Sequence, residues 1–161
     1  MLYVSATFAV FPFSRDVVYR ELTDMAHFPD WGKGLVSLSP QEAMREGMRF
    51  KLSSHVCASL INATVAVERL VPNELLELVS KTGLISFRVM FNCVENSPIE
   101  TEVICTMRFE FNGFVFNASR SVIEAMARQR CQRDLLALRT YIMRTAQPTS
   151  AKIATQSNRP Q

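Results

Sequence analysis

The sequence predicts an α+β domain in which a meander of antiparallel strands is packed by one long C-terminal helix. Three observations predict it. Turn-forming breakers recur from Pro40 to Asn112-Gly113 at intervals that suit short strands joined by turns. The segment that follows carries apolar residues at steps of three and four, the period of a helix. The 161 residues are a single-domain length, at which folding buries roughly two-thirds of the unfolded surface. A lone helix after a meander must lie across the sheet, where it can roof a cavity.

Residues 3 to 11 alternate Tyr3, Ser5, Thr7, Ala9 and Phe11 with Val4, Ala6, Phe8 and Val10. The second set is more apolar and is expected to face the core. Pro12 closes this strand. Ser14 suits an N-cap, and Val17, Val18, Leu22 and Met25 at helical spacing predict a short helix over about residues 15 to 25. A further helical turn runs through His27-Phe28-Pro29-Asp30-Trp31, ended by Gly32-Lys33-Gly34. The breakers Pro40, Glu46-Gly47, Asn62, Pro72-Asn73, Thr82-Gly83, Asn96-Ser97-Pro98 and Asn112-Gly113 then delimit strands near 35–39, 48–56, 63–71, 75–81, 84–94 and 100–111. In the last, Val103, Cys105, Met107, Phe109 and Phe111 share one face, opposite Glu102, Thr106, Arg108 and Glu110, the pattern of an antiparallel sheet wet on one side.

The long helix, from about Val115 to Thr145, carries Ile123, Ala127, Cys131, Leu135, Leu138 and Ile142 on one stripe, which Val122 and Met126 are expected to widen. Roughly thirty residues span about 45 Å, enough to cross a whole sheet. After Gln147-Pro148 the tail is rich in Ser, Thr, Ala and Gln without periodicity and reads as a flexible extension.

A composition of 48% hydrophobic and 20% charged residues excludes global disorder, and no apolar run reaches the ~18 residues of a membrane span. The first eight residues lack a positively charged start and move directly into alternation, so a strand and a cytoplasmic location are expected. Cys57, Cys93, Cys105 and Cys131 are far apart without a Cys-x-x-Cys pair and read as free, mostly buried thiols. A formal charge of +3 is too small to imply a polyanionic partner, and nucleic acid is disfavoured. Arg120, Arg128, Arg130, Arg133, Arg139 and Arg144 nevertheless face only Glu124 and Asp134 in the helix, which predicts a basic outer face. That face is either solvated or the surface of a protein or nucleic-acid interaction module.

With this order of elements, the chain resembles the START-related, birch-pollen-allergen-like superfamily, which includes polyketide cyclases, lipid-transfer domains and coenzyme Q-binding proteins. The resemblance covers residues 3 to 145. It is carried by Val18-Tyr19-Arg20-Glu21-Leu22-Thr23-Asp24 followed by Pro29-Asp30-Trp31; by Glu46-Gly47-Met48-Arg49-Phe50; by Val67-Glu68-Arg69-Leu70-Val71-Pro72; by Thr101-Glu102-Val103; and by Arg133-Asp134-Leu135-Leu136-Ala137-Leu138-Arg139-Thr140-Tyr141. It implies a helix-grip fold: a curved seven-stranded antiparallel sheet around the long C-terminal helix, two short helices after the first strand, and an elongated apolar cavity. Residues 1–146 would be the START-like ligand-binding domain and 147–161 its tail. Two departures stand out. The turn Ser97-Pro98-Ile99-Glu100 lacks the common glycine pair, and Phe114-Val115-Phe116-Asn117 brings aromatics to one mouth of the cavity, where they would narrow it.

The cavity lining is expected from the inward positions Phe87, Val89, Phe91, Met107 and Phe109 and from Val122 and Met126 of the helix, although for any one of them packing in a filled core is the commoner role. Trp31 is the single tryptophan, placed either to contact ligand or to anchor the two small helices. Arg88 and Arg108 oppose their apolar neighbours in parity and should point to solvent. His27 and His55 have no ligand-spaced partner in sequence, so no metal is expected. Ser53, Ser54 and His55 alternate across strand faces and cannot pair as nucleophile and base by themselves. Phosphate loops, HExxH, Gly-x-Ser-x-Gly and dinucleotide fingerprints are absent from the sequence, and no cofactor is expected. Three function classes remain: a binder of an apolar small molecule such as a lipid, isoprenoid or polyketide; a polyketide cyclase or dehydratase working by proton transfer; and the interaction module. The sequence leaves the oligomeric state open, a homodimer included.

Overall fold

The computed structural model describes residues 1–56, 59–112 and 118–146. The elements are β1 (Tyr3–Phe11), α1 (Arg15–Thr23), α2 (Phe28–Trp31), β2 (Leu35–Ser39), β3 (Arg49–Val56), β4 (Ser59–Val71), β5 (Leu75–Ser80), β6 (Ile85–Ser97), β7 (Glu100–Phe111) and α3 (Arg120–Ala146). Cys57, Gly113, the aromatic segment 114–117 with the expected helix start at Val115, and the tail from Gln147 lie outside the described residues.

The seven strands form one antiparallel sheet in the order β1-β7-β6-β5-β4-β3-β2. Strands β2 to β7 pair with their sequence neighbours, while β1 pairs with β7, so β1 and β2 are the two edges and α1 and α2 carry the chain between them. Register shifts at Leu35/Ser37, Val67/Arg69 and Glu95/Ser97 insert bulges, which increase local twist and bend the sheet. At the β5–β6 turn, Gly83 has φ of 91° and a Cβ there would stand 2.8 Å from the Asn62 carbonyl oxygen, so only glycine fits.

The curved sheet grips α3. On the β1 side the Glu124 carboxylate accepts the Val4 N–H at 3.0 Å and Arg139 donates to the Val10 carbonyl at 3.2 Å. These bonds cover backbone groups that an edge strand otherwise leaves open to another chain. On the opposite side, the Arg130 guanidinium donates to the Ser54 hydroxyl at 2.6 Å and to the His55 carbonyl. Of the six helix arginines, Arg130 and Arg139 are therefore turned onto the sheet and Arg120 pairs with Glu124 at 3.0 Å. The uniformly basic outer face expected from sequence is reduced to Arg128, Arg133 and Arg144.

Two further expectations are corrected. The parity of β1 is reversed: Tyr3, Ser5, Ala9 and Phe11 are buried, whereas Phe8 is 57% exposed. Polar inward groups are tolerated because α3 meets them with a polar group of its own, Gln132 accepting from the Thr7 hydroxyl. Asn62 is not a turn residue. It lies within β4, paired with Ser53 of β3 and accepting that residue's hydroxyl.

The largest apolar cluster joins Phe11, Val18, Leu22, Met25 and Trp31 to Val65, Val67, Leu76 and Val103 of the sheet and Leu135, Leu138 and Ile142 of α3. A smaller one unites Tyr3, Ile61, Ile85, Phe109 and Ile123. Ser14 occupies the N-cap position of α1 without a side-chain cap bond, and its hydroxyl instead meets Asp16. No helix among the described residues is long and apolar enough to cross a membrane.

Candidate functional site

Strand pairing sets the concave face in rows. Tyr3, Phe109, Phe87 and Ser80 stand in register across β1, β7, β6 and β5. The next row is Ser5, Met107, Val89 and Leu78, and the third is Thr7, Cys105, Phe91 and Leu76. Because side chains alternate with period two, all of these point to the helix side. The structure thus brings together the strand residues predicted from sequence: Val89 and Phe109 are buried, while Phe87, Phe91 and Met107 are half-buried.

Above the rows, α3 presents Ile123 to the first row and Cys131 to the third, where Cys131 and Cys105 hydrogen-bond as free thiols. This bond and burial push the Cys105 thiol up. Between them stands Ala127, the smallest side chain of the stripe. Phe87 and Met107 pack against both apolar clusters and so mark the seam between them. Val122 and Met126 do not widen the stripe. They are 49% and 45% exposed, because one step back from Ile123 and Ala127 turns a helical side chain about 100° away from the sheet.

Polar groups lie on both sides of α3. Ser5 is buried on β1. The Ser54 hydroxyl donates to the Gly34 carbonyl at 3.1 Å while accepting from Arg130. The Asp134 carboxylate accepts the Lys33 N–H at 3.3 Å and lies 3.9 Å from Arg130 Nε. Burial holds the Asp134 carboxyl above the usual carboxylate range, against the opposing pull of Arg130. The sequence alone predicts Arg130 and Asp134 on the outer face. Their signal was present, since each follows a residue of the stripe, Ile123 and Ala127, by seven positions and so shares its flank.

Trp31 is 4% exposed and packs on Phe28 with ring centroids 4.4 Å apart. Its indole nitrogen is closed to solvent and meets no acceptor among the described residues. Other buried hydroxyls differ: Tyr19 donates to the Leu75 carbonyl at 2.9 Å and Thr101 to the Phe13 carbonyl at 2.9 Å. His27 binds Glu21 at 2.8 Å. His55 is exposed, and no group of three or more His, Cys, Asp or Glu among the described residues is arranged to hold a metal. Arg88 lies on the convex face, where it pairs with the buried Glu77, and Arg108 stands beside it across the β6–β7 pairing. A surface cleft of about 260 Å³ runs between α2 and α3, lined by Asp30, Lys33, Arg133, Ala137, Tyr141 and Arg144.

No family model and no curated protein matches the sequence. Solved structures do match. The Zhui aromatase/cyclase from Streptomyces sp. R1128 is similar with a TM-score of 0.78 at 13% identity, over 92% of this chain and 98% of that one. A START superfamily protein from Mycobacterium smegmatis is similar with a TM-score of 0.75 at 11% identity, over 89% of this chain and 99% of the other. Ara h 8.0201 is similar with a TM-score of 0.64 at 9% identity, over 89% and 99%. At such identities the likeness is one of fold, and it matches the architecture described above from the first strand to the gripped helix. The chain has the helix-grip fold, a curved seven-stranded antiparallel sheet closed on a long C-terminal helix, in common with these structures.

Proposed function

We propose that the protein binds a hydrophobic small molecule, of lipid, isoprenoid or polyketide type, between the concave sheet face and α3. One observation carries this reading: the seam at Phe87 and Met107, where half-buried apolar side chains of two clusters meet under the smallest residue of the helix stripe. Apolar walls with a few fixed polar groups are what small-molecule sites have. The ligand contacts are Trp31, Phe87, Val89, Phe91, Met107 and Phe109; Val122 and Met126, exposed and turned away from the sheet, are not among them. Native mass spectrometry of freshly purified protein, followed by organic extraction, tests it. A stoichiometric apolar adduct is expected. A protein that stays unliganded after incubation with fatty acids, isoprenoid quinones and aromatic polyketides overturns it.

A second reading, proton-transfer catalysis of the cyclase or dehydratase kind, is favoured by Asp134. Burial favours the protonated form of this carboxyl, against the pull of Arg130, and a protonated carboxyl can give its proton to a bound carbonyl or hydroxyl. The similarity to an aromatase/cyclase supports the same direction. Asp134→Asn should then abolish turnover of a polyketide substrate while leaving its binding intact; equal turnover by the variant overturns this reading.

A further inference from the structure

We infer that Trp31 is a hydrogen-bond donor to the bound molecule, and that the ligand class is an apolar chain or ring system bearing an acceptor oxygen, a carbonyl above all. The inference rests on the binding reading above and deepens it. Its ground is an accounting of buried donors. Tyr19, Thr101 and Ser80 each spend their hydroxyl proton on a backbone carbonyl. Ser54 does so while also accepting from Arg130. Trp31 Nε1 is the one buried side-chain polar atom among the described residues without a partner. Leaving such a donor unpaired forfeits its bond to water without return, so buried groups of this kind are rare unless something else meets them.

The position of the ring says what that is. Trp31 belongs to the large cluster with Phe50, Val65, Leu76 and Val89 of the concave face and Leu135 of α3. Its nitrogen is shut off from solvent, so the N–H is directed into the protein. It is carried by α2, a single helical turn whose following residue, Gly32, bonds back to the Phe28 carbonyl at 2.7 Å. A short, separately hydrogen-bonded turn of this kind can move with its tryptophan as ligand enters. An indole N–H has no acceptor capacity, so it selects for a ligand oxygen with a free lone pair and gives nothing to a hydrocarbon.

The test uses two probes of matched shape, 2-tridecanone and 2-methyl-1-tridecene, in which a methylene replaces the carbonyl oxygen. Affinity is measured by titration with native mass spectrometry, and the single indole N–H signal is followed in a 15N-resolved proton spectrum. The ketone should bind about three- to tenfold more tightly, the worth of one net hydrogen bond, and should move the indole proton downfield while the alkene does not. Trp31→Phe should equalise the two probes. If both bind alike and the indole signal responds identically, the donor role is overturned while the cavity stands. If neither probe forms an adduct, the cavity reading falls, and this inference with it.

Discussion

The two halves of α3 are held by different kinds of packing. Toward the C-terminus, Leu135, Leu138 and Ile142 are sealed among Phe11, Val18, Leu22 and Met25, all of them essentially inaccessible. Toward the N-terminus, Ile123 meets Tyr3, Ile61, Ile85 and Phe109, each of which keeps a small exposure. Aromatic rings dominate there, with Tyr3 stacked on Phe109 at 5.2 Å and Phe111 edge-on to both. Branched aliphatic side chains closed over by α1 make an anchor, whereas flat rings beside Ala127 and Met107 make a wall that can be re-spaced. One helix therefore combines a fixed end with an adaptable one, and the seam lies between them.

Truncation should separate the halves most strongly. Leu138→Ala is expected to destabilise by about 4 kcal/mol, near the top of the range for a sealed core position, and Ile123→Ala by about 2 kcal/mol. Urea unfolding of the two variants measures the gap; equal losses would break the contrast. Filling the seam sharpens it. If there is room beneath Ala127, Ala127→Leu should change stability by less than about 1 kcal/mol and abolish the apolar adduct, whereas in a filled core the same change costs about 1–3 kcal/mol through overpacking.

The anchored half was also the more legible in the sequence. Leu135, Leu138 and Ile142 repeat at the helical period with nothing to contradict them, and the turn residues that divide β4 to β7 act through local backbone geometry alone. What stayed hidden depends on partners distant in the chain. Ser5 and Thr7 look like a wet face until Gln132 arrives from the far end of the sequence to meet Thr7. Asn62 looks like a turn until Ser53 pairs with it across two strands. Arg130 looks like a solvated charge until Ser54 and His55 give it a place. The apolar concave face of β6 and β7 could be read because period two fixes the face. The polar groups beside it could not, because hydrogen-bond partners have no period.

Asp134 acts on α3 through its charge, close to the Cys105–Cys131 pair. Its carboxyl is raised above the unfolded value of 3.8 by burial, so the ionised form is disfavoured in the folded state. The native protein therefore gains stability from this group only below the unfolded value and loses it as pH rises through the folded one. Asp134→Asn, whose amide oxygen can still accept the Lys33 N–H, should melt higher than wild type at pH 7, and the two should converge as pH falls toward 4. A variant that melts lower at pH 7 would show that the pull of Arg130 outweighs burial.

The smallest expected effect concerns the contact between the short helices and the anchored end of α3. His27 lies between α1 and α2, bonded to Glu21 at 2.8 Å, 3.5 Å from Asp24, within the field of Asp30, and tilted against the Tyr141 ring of α3 at 5.8 Å. The Glu21 hydrogen bond, ahead of the charges of Asp24 and Asp30, raises its pKa above 6.5 and outweighs desolvation. Protonated histidine therefore ties α1 to α2 fully at pH values below 6.5, and the tie fades as pH rises through the folded value. The ring is 41% exposed, so solvent screening keeps the effect slight. Thermal melts of wild type and His27→Gln at pH 5.5 and 8.5 should differ at the lower pH and coincide at the higher. Because the tie secures the turn that carries Trp31, the same pH change should alter how readily an apolar ligand enters at constant final affinity for the seam, and an exchange rate independent of pH in wild type would separate the short helices from the route of entry.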